Sequence, residues 1–586
     1  MYDLLKNINS PADVKKLSVE QLNLLASEIR EALFNRLTKI GGHFGPNFGF
    51  VEATIALHYV FNSPADKFVF DVSHQSYTHK MLTGRKFGYI DETRFKEDSG
   101  YSNPEESLHD LFNIGHTSTS ISLATGLAKA RDIVGGTENV IAVIGDGSLS
   151  GGEALEGLSV AGSEIRGNLI IVVNDNQQSI SETHGGIYKN LAKLRETNGK
   201  AADNMFTAWG LDYVYEARGN DIAALIDVFA KVKDSARPVV VHINTQKGKG
   251  YALAEQNKEA WHWCMPFDRQ TGLPTVAFDP DNYVNIAKKT LLDKAVADKK
   301  VVIVTPNMPG SFGLKPDERQ QLGERYVDVG IAEEQAVAMA SGIAKRGLKP
   351  VVITNTTFLQ RAYDQISQDV CINNSAVTFL LNYAAFDGLT DVTHLGIFGL
   401  SLFSNIPNLV VIAPSSREEL IAAINNSIDQ SEHPTLILLP GNKVASRTQA
   451  IDIACTNTYE VTHAGKDVAV LALGDFYQRG ETLVAALADK LNVNATLVNP
   501  RFAAVDKATL DKLCKNHKVF VTLEDGILDG GFGQKVASYL GDKGVLVKNY
   551  GLDKRFYDRY NPAQLLVELG MDTDSMVADV EKLLRD

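Results

Sequence analysis

Two polar segments follow neighbouring apolar runs, and their residue types favour metal binding. Asp146 lies between two glycines directly after one run, and Asn176 follows the next run thirty residues later. If both runs are strands of one doubly wound sheet, their carboxyl ends lie side by side, where such sheets bind ligands. A carboxylate, an amide oxygen and a main-chain carbonyl just beyond, that of Gln178, form the hard oxygen set that Mg²⁺ prefers, and phosphate oxygens complete its octahedron. The spacing therefore predicts a magnesium site that bridges a diphosphate.

Other interpretations of the same loop are weaker. A dinucleotide fingerprint would place glycine where the chain has Ser150, and the Gly-Lys-Ser/Thr of a Walker loop is absent. In a purely structural interpretation, Asp146 caps the following helix and Asn176 forms an Asx turn. Either residue alone fits that interpretation as well as it fits a metal site, but the spaced pair favours the metal.

Composition argues against several classes of protein. The chain of 586 residues is 44% hydrophobic and 22% charged, which is typical of a globular protein, and it is long enough for three domains. Its net charge of −13 argues against a nucleic-acid partner, because phosphate binding normally requires a basic face. We find neither a signal-peptide pattern at the start nor a run of about 18 apolar residues, and therefore expect a cytoplasmic protein without a membrane partner. Four widely separated cysteines form no metal-binding pair and fit reduced thiols: Cys264, Cys371, Cys455 and Cys514.

Apolar periodicity predicts an α/β protein. A helix should begin near Ser18, with Gln21 as its capping-box partner and one apolar face formed by Leu22, Leu25, Ile29 and Leu33. Ten continuous apolar runs alternate with helical stretches, and continuous runs are typical of parallel strands buried on both faces. These runs lie at 139–145, 168–174, 237–244, 300–306, 349–355, 376–382, 408–414, 434–440, 467–474 and 517–525.

Two polar stretches, rich in Gly and Pro, interrupt this alternation at 265–282 and 441–457. They predict three α/β domains. The first covers residues 1–265, the second covers 285–445 after a linker at 266–284, and the third covers 446–586.

The Gly-Asp-Gly at 145–147, followed by Asn-Asp-Asn at 174–176, resembles the pattern of thiamine diphosphate enzymes. Further segments resemble, in the same order, those of the 1-deoxy-D-xylulose-5-phosphate synthase family: "GGHFGPNFGFVEATIALHYVF", "DVSHQSYTHKMLTGR", "GHTSTSIS", "TQKGKGYALAE", "VDVGIAEEQAV" and "TTFLQRAYDQ". The resemblance covers nearly the whole chain. It implies three doubly wound domains of transketolase type with mainly parallel sheets, which bind the diphosphate, bind the pyrimidine ring and complete the subunit, respectively. It also implies a homodimer.

The resemblance assigns site residues for thiamine diphosphate and Mg²⁺. Asp146 and Asn176 would bind the metal. The residues placed around the cofactor are His74, Gly115, His116, Thr117, Gly147, Ser148, Tyr251 and Phe358. The hydroxyl groups and main-chain donors of "GHTSTS", at a predicted helix start, suit an anion.

Glu333 matches the glutamate that hydrogen-bonds the pyrimidine ring and promotes its imino tautomer. Three further catalytic candidates, His43, His262 and His394, fall on family positions together with His74 and His116. The resemblance implies that these histidines orient pyruvate and the acceptor carbonyl and move protons. Arg361 matches an arginine beside the site, although a helix ion pair explains it equally well. We interpret His79 and Lys80 as structural or peripheral.

Departures from the family cluster on the acceptor side of the second domain. Tyr383 replaces a phosphate-binding arginine, and "LLPGN" at 438–442 lacks both arginines of the family's Arg-Tyr-Pro-Arg-Gly. Thr390, Asn355 and Gln335 replace an aspartate, a tyrosine and a histidine. Without its arginines the pocket should bind glyceraldehyde 3-phosphate poorly in the family's manner. Lys443 and Arg447 are candidates for replacement charge, but a solvated side chain is the simpler interpretation.

These observations predict a carboligase that decarboxylates pyruvate and joins the two-carbon unit to an aldehyde, either glyceraldehyde 3-phosphate or another acceptor. One alternative is transfer of a two-carbon ketol unit from a sugar, as in transketolase. The other is an inactive paralogue with a regulatory role. The retained Glu333, Asp146 and Asn176 favour an active enzyme.

Overall fold

The computed structural model describes residues 2–183, 185–447 and 457–585. The predicted boundary stretch at 441–457 lies partly outside these residues, and Cys455 lies wholly outside them. Three cysteines within the described residues are free thiols: Cys264, Cys371 and Cys514. The chain divides into two units, one formed by residues up to Phe278 together with Gly330–Ala332, and the other by the remaining residues.

The first unit contains a parallel sheet and a small antiparallel pair. Its strands are β1 (Gly42–His43), β2 (Lys67–Phe70), β3 (Val140–Gly145), β4 (Leu169–Asp175), β5 (Asp212–Glu216), β6 (Val239–Asn244) and β7 (Trp263–Cys264). The order in the five-stranded sheet is β2-β3-β4-β6-β5, and every pair is parallel. Strands β1 and β7 form the antiparallel pair.

Helices cover this sheet. The long first helix, Val19–Ile40, begins at the capping box of Ser18 and Gln21, as predicted, and buries its predicted apolar face. The other α-helices of the unit are Pro11–Val14, Gly45–Gly49, Val51–Val60, Tyr77–Lys80, Phe87–Ile90, Ser120–Val134, Gly152–Glu164, Gly186–Glu196, Met205–Ala208, Ile222–Val232 and Ala252–Gln256.

The second unit contains two sheets. The first has strands β8 (Val301–Thr305), β9 (Tyr326–Asp328), β10 (Lys349–Asn355), β11 (Thr378–Asn382), β12 (Val410–Ile412) and β13 (Thr435–Leu438), all parallel, in the order β12-β13-β11-β10-β8-β9. The second has β14 (Glu460–His463), β15 (Asp467–Ala472), β16 (Thr496–Asn499), β17 (His517–Ile527) and β18 (Leu546–Leu552), in the order β14-β16-β15-β17-β18. Only β14 is antiparallel to its neighbour in this second sheet.

The α-helices of the second unit alternate with these strands. Those around the first sheet are Tyr283–Ala297, Pro316–Leu322, Glu333–Lys345, Thr356–Leu359, Tyr363–Gln365, Gly399–Phe403 and Arg417–Asp429. Those around the second are Tyr477–Leu491, Lys507–Leu513, Phe532–Leu540, Pro562–Glu568 and Thr573–Arg585. Within the described ranges, no helix is both long and apolar enough to cross a membrane.

Both faces of the sheets are buried, which explains the continuous apolar runs. In β3, Ile141 and Val143 pack in one hydrophobic cluster, whereas Val140, Ala142 and Ile144 pack in another. Successive strand residues point to opposite faces, so each face has its own core. The predicted doubly wound α/β class with mainly parallel sheets is confirmed, and all ten predicted runs form strands.

Candidate active site

The predicted metal ligands follow two adjacent strands. Strands β3 and β4 are parallel, with Gly145 paired with Asn174, so the loops that begin at Asp146 and Asn176 leave the same edge of the sheet. The main-chain N–H of Gln178 donates to Asp146 Oδ2 at 3.2 Å. Asp146 itself is only 2% exposed. The fold thus brings residues 146, 176 and 178 into one buried site.

Two polar oxygens in this loop lack an internal partner. Asn176 Oδ1 and Ser179 Oγ are buried without a hydrogen bond within the part of the chain that the structure describes. An unsatisfied buried oxygen costs about 1–3 kcal/mol, so a bound ligand would stabilise both. Gly147 is required beside them, because a Cβ there would lie 2.5 Å from Ser179 Oγ. The donor set and the close backbone approach fit a hard cation and a phosphate group.

Neighbouring carboxylates have opposite pKa shifts. Burial, and then the charge of Asp175, raise the pKa of Asp146 to about 8. Asp175 is also buried, but hydrogen bonds from His242 at 2.8 Å and from Arg195 outweigh this and lower its pKa. His242 Nδ1 lies 2.7 Å from the hydroxyl of Tyr213. Asp175 therefore carries the charge and anchors the loop to the sheet, whereas Asp146 needs a cation to stabilise its ionised form.

Two lysines that the sequence analysis did not single out hold carbonyls of the same loop. Lys247 Nζ donates to the carbonyl of Ser179 at 2.5 Å, and Lys258 Nζ donates to that of Asn176 at 3.0 Å. Lys247 is 2% exposed, and burial lowers its pKa to about 7. Its position in a glycine-rich turn after β6 was the available signal, since parallel strands end at the ligand-binding edge.

Three of the predicted histidines form a cluster. Ring centroids lie 5.1 Å apart for His43 and His74, 5.8 Å for His43 and His262, and 5.4 Å for His74 and His262. In the antiparallel pair of β1 and β7, His43 is paired with Trp263, and His262 directly precedes β7. Lys247 Nζ is 3.1 Å from His262 Nδ1. Burial, and then the Lys247 ammonium, hold the pKa of His262 well below its usual range, so this imidazole is neutral at pH 7.

The start of helix Ser120–Val134 already binds an anion from the chain itself. The main-chain N–H groups of Ser118 and Ser120 donate to the carboxylate of Asp71, at 2.8 and 3.0 Å. The expectation that these amides bind a cofactor anion is therefore wrong for the two donors at the helix start. The Ser118 hydroxyl donates to the carbonyl of Ser148 at 2.8 Å and joins this loop to the Gly-Asp-Gly loop. The family-matched residues of the loop directly precede these donors: Gly115, His116 and Thr117.

Three further residues of the first unit lie in other surroundings: Tyr251, and His79 and Lys80, which we interpret as structural. The Tyr251 ring packs against Phe34, Phe44, Trp261 and Phe267, and its hydroxyl donates to the carbonyl of Arg269 at 3.0 Å. His79 lies between His58 and Asp110, at 2.9 Å from each, and Lys80 pairs with Glu106. The geometry gives Tyr251 a packing role and places His79 and Lys80 in a buried network of charges.

In the second unit, Glu333 is a buried acid at a helix start. It is 3% exposed, and its Oε2 has no hydrogen-bond partner among residues 2–183, 185–447 and 457–585. The nearest cation is Arg361, whose Nη1 lies 3.7 Å from Oε2. Burial raises the pKa of Glu333 to about 7 despite this arginine. An acid with this pKa can donate or accept a proton near neutral pH.

Phe358 and His394 lie together in the same unit. Phe358 belongs to the short helix Thr356–Leu359 after β10, and its ring centroid is 5.5 Å from that of His394 in an edge-to-face arrangement. His394 is 8% exposed, and its Nδ1 lies 2.8 Å from the hydroxyl of Thr393. Burial lowers the pKa of His394 to about 4, so it is a neutral hydrogen-bonding group at pH 7.

The predicted acceptor side contains carboxyl groups. A cavity of about 30 Å³ is lined in part by Ala384, Ala385 and Leu438, beside the positions where the family has arginines, and by Asp475 and Asp525. Burial raises the pKa of Asp475 to about 7. Burial, and then Asp475, raise that of Asp525 well above its usual range.

Basic side chains do not offset the acidic groups around this cavity. Arg479 faces the three carboxyl groups of Asp387, Asp475 and Asp525, so acids outnumber bases in this cluster. Arg447, considered as a replacement cation, pairs with Glu419 at 3.3 Å and Glu460 at 3.2 Å, and Lys443 is exposed. Tyr383, in place of an arginine, is 37% exposed with a positive φ of 52°. The cavity therefore suits a neutral polar group better than a phosphate.

A pH series tests the raised pKa of Glu333. Because its pKa rises from 4.5 to about 7 on folding, the protonated form is favoured and the wild type loses stability as pH rises through this range. Glu333→Gln removes this loss, worth about 3 kcal/mol. We expect the Tm of the cofactor-free variant to exceed that of wild type by more at pH 8 than at pH 5. A difference in Tm that does not change with pH would contradict the assigned protonation.

Comparison with known proteins identifies the family. The family model described as 1-deoxy-D-xylulose-5-phosphate synthase matches residues 5–202, the transketolase pyrimidine binding domain matches 282–446, and the transketolase C-terminal domain matches 457–576. The 1-deoxy-D-xylulose-5-phosphate synthase of Alkaliphilus oremlandii (strain OhILAs) is 37% identical over 100% of both chains. Synthase 1 of Geobacter sulfurreducens is 37% identical over 100% of this chain and 98% of its own, and the Clostridium acetobutylicum enzyme is 37% identical over 96% of both. The chain belongs to the 1-deoxy-D-xylulose-5-phosphate synthase family.

Proposed function

We propose that the chain is a thiamine diphosphate- and Mg²⁺-dependent carboligase that decarboxylates pyruvate and joins the two-carbon unit to an aldehyde without a phosphate group. Full-length similarity to the synthase family supports the reaction class. The single observation that carries the proposal is Glu333, a buried acid with a pKa of about 7 and an oxygen without a hydrogen-bond partner in the described part of the chain. Such a group has no evident structural purpose, because burying a carboxyl oxygen without a hydrogen bond lowers stability.

Residues of the first unit would hold the diphosphate and the metal. Asp146, Asn176 and the main-chain carbonyl of Gln178 supply three oxygen ligands, and Gly147 lets the backbone approach a phosphate. The buried Lys247 brings a positive charge to the same loop. The remaining residues proposed for the diphosphate side are His74, Gly115, His116, Thr117 and Ser148. We propose residues 1–265 as the domain for this task, followed by a linker at 266–284.

Residues of the second unit would hold the pyrimidine ring. Glu333 would hydrogen-bond a ring nitrogen through its carboxyl group, and Phe358 would pack on the ring face. When bound, thiamine diphosphate supplies the stabilisation of negative charge that decarboxylation requires. We propose residues 285–445 as this domain and 446–586 as the domain that completes the subunit of a homodimer in the cytoplasm.

The histidines would bind and orient the substrates. The rings of His74 and His262 lie 5.1 and 5.8 Å from that of His43, which is in β1, and His262 directly precedes β7. With the pKa of His262 depressed, its neutral ring can accept a hydrogen bond from Lys247 at Nδ1 and donate one from Nε2 to a carboxylate or carbonyl oxygen of pyruvate. His394 is likewise neutral and can donate to an acceptor carbonyl. These groups would orient the reactants and move protons between them.

The pocket chemistry argues for an acceptor without phosphate. Three arginines of the family are absent, one at Tyr383 and two in the "LLPGN" segment, and each charge-assisted hydrogen bond that is lost is worth about 1.5–3 kcal/mol. Asp475 and Asp525 line the nearby cavity instead. Neither carboxyl group supplies the positive charge that a phosphate dianion requires, whereas a hydroxyl group can hydrogen-bond to both.

Metal binding can be measured without turnover. We expect Mg²⁺ and thiamine diphosphate together to raise the Tm of wild type, by an amount equivalent to about 2.7 kcal/mol at a hundredfold excess over Kd. Asp146→Ala should lose the magnesium-dependent part of this shift, because its carboxylate is the charged ligand. Asp212→Ala, at an exposed position on β5 of the same sheet, is the control and should keep it. Equal shifts in both variants would exclude Asp146 as a ligand.

Proton exchange tests Glu333 directly. Wild type should accelerate exchange of the thiazolium C2 proton of the cofactor for deuterium, followed by NMR, above the rate for free cofactor. Glu333→Ala should lower the enzyme-bound rate by at least about 100-fold, the usual range for a proton-transfer group. Glu334→Ala, the next residue on the same helix, should retain it. An unaccelerated wild type would support the inactive paralogue, and an unaffected Glu333→Ala would remove the assigned role.

An aldehyde screen tests the acceptor. With pyruvate as donor, we expect kcat/KM for glyceraldehyde to exceed that for glyceraldehyde 3-phosphate. The double variant Tyr383→Arg/Leu438→Arg should improve use of the phosphorylated aldehyde by about tenfold or more. Efficient turnover of glyceraldehyde 3-phosphate by wild type at low concentration would overturn this assignment. If pyruvate labelled at C1 releases no labelled carbon dioxide with any aldehyde, the donor is a ketose, as in transketolase.

A further inference from the structure

Asp71 is a buried carboxylate that the sequence analysis did not select. It directly follows β2 and is 1% exposed. It accepts the main-chain N–H groups of Ser118 and Ser120. Burial raises its pKa, and these two hydrogen bonds and one from the Ser148 side chain oppose the rise. One carboxylate therefore contacts two loops, 115–119 and 147–150. The segment that follows Asp71 leads to His74, which belongs to a third loop.

The segment after Asp71 has a sharply turned backbone. Val72 and Ser73 have positive φ angles of 57° and 63°. This left-handed conformation is rare for a β-branched residue such as Val72, and it persists only where surrounding contacts impose it. The Ser73 hydroxyl donates to the carbonyl of Ile114 at 2.6 Å and accepts the N–H of Ser102 at 2.7 Å. The turn places His74 beside His43 and His262.

A second link joins the two loops that Asp71 contacts. Ser118 also has a positive φ, of 77°, and its hydroxyl donates to the carbonyl of Ser148. The loops are thus tied to Asp71 and to each other. Between them they carry five of the residues proposed for the diphosphate: Gly115, His116, Thr117, Gly147 and Ser148.

We propose that Asp71 is a positioning residue that sets the affinity for the metal–diphosphate group by holding these three loops in one arrangement. The inference rests on the proposed function for its ligand, but the bracing of the loops rests on the contacts of Asp71 alone. Asp71 acts through other residues, so its loss should weaken binding by making the loops mobile before the cofactor arrives.

The test compares two carboxylates at opposite ends of one strand. Asp71→Asn keeps the shape but replaces one acceptor oxygen with an NH₂ group that faces other donors. Asp66→Asn is the matched control: Asp66 precedes β2, is 6% exposed, and accepts the N–H groups of Asn62 and Asn139 at 2.6 and 2.8 Å. Both variants should lower the Tm of the cofactor-free protein. Only Asp71→Asn should raise the Kd for thiamine diphosphate with Mg²⁺, measured by titration calorimetry, by about 10- to 100-fold.

Hydrogen–deuterium exchange supplies a readout that needs no cofactor. In the unliganded protein, peptides that cover 115–120 and 147–150 should exchange faster in Asp71→Asn than in wild type, and Asp66→Asn should leave them unchanged. If Asp71→Asn does not fold, Ser118→Ala decides the question. It removes the hydroxyl link to Ser148 and should raise the Kd at least about threefold and speed exchange in the same peptides.

The outcomes separate this inference from the proposed function. A wild type that binds no thiamine diphosphate would overturn the proposed function, while faster exchange in Asp71→Asn would still support the bracing. A wild type that binds, together with an Asp71→Asn Kd within threefold of it, would overturn the positioning role. Equal increases in Kd in Asp71→Asn and Asp66→Asn would also overturn it, because the effect would then be general destabilisation.

Discussion

Parallel pairing of adjacent strands is the constraint on which the site in the first unit depends. Because β2, β3 and β4 run in the same direction in neighbouring positions, the residues that follow them leave the sheet at a single edge. Asp71, Asp146 and Asn176 are far apart in sequence, yet each is the first or second residue after one of these strands. No local motif could bring them together. The parallel register of the sheet brings these residues to one edge, and the loops complete their arrangement.

This convergence buries several carboxyl groups near one edge of the sheet, and their hydrogen-bond partners differ. Asp71 is satisfied by main-chain N–H groups at a helix start, and Asp175 by His242 and Arg195. Among the residues that the structure describes, the hydrogen-bond donors to Asp146 are main-chain N–H groups, at 3.0 and 3.2 Å, and burial raises its pKa to about 8. Buried carboxylates normally have charged or multiple donors. Neither of these donors to Asp146 is charged, so a bound cation would stabilise its ionised form.

The sequence predicted the long central strands and missed short, partly polar ones. Each continuous apolar run became a strand, since burial on both faces leaves no alternation. "KFVF" at 67–70 is too short to stand out, and β5 at Asp212–Glu216 is only partly buried, so tyrosines and charged residues interrupt its pattern. The roles of Asp71 and Lys247 could not be predicted for a different reason. Their chemistry comes from contacts with residues far away in sequence, which neither periodicity nor residue type encodes.

The two halves of the proposed reaction differ in how the fold constrains them. The cofactor side uses main-chain groups, glycines and buried acids such as Glu333, whose positions follow from the sheets and change little when side chains vary. The acceptor side would use side chains at the ends of two strands: Tyr383 directly follows β11, and Leu438 is the last residue of β13. In the cavity beside them, the pKa values of Asp475 and Asp525 are already raised, and an approaching phosphate would raise them further. Protonated carboxyl groups can both donate and accept hydrogen bonds, so this chemistry matches the hydroxyl groups of a neutral aldehyde.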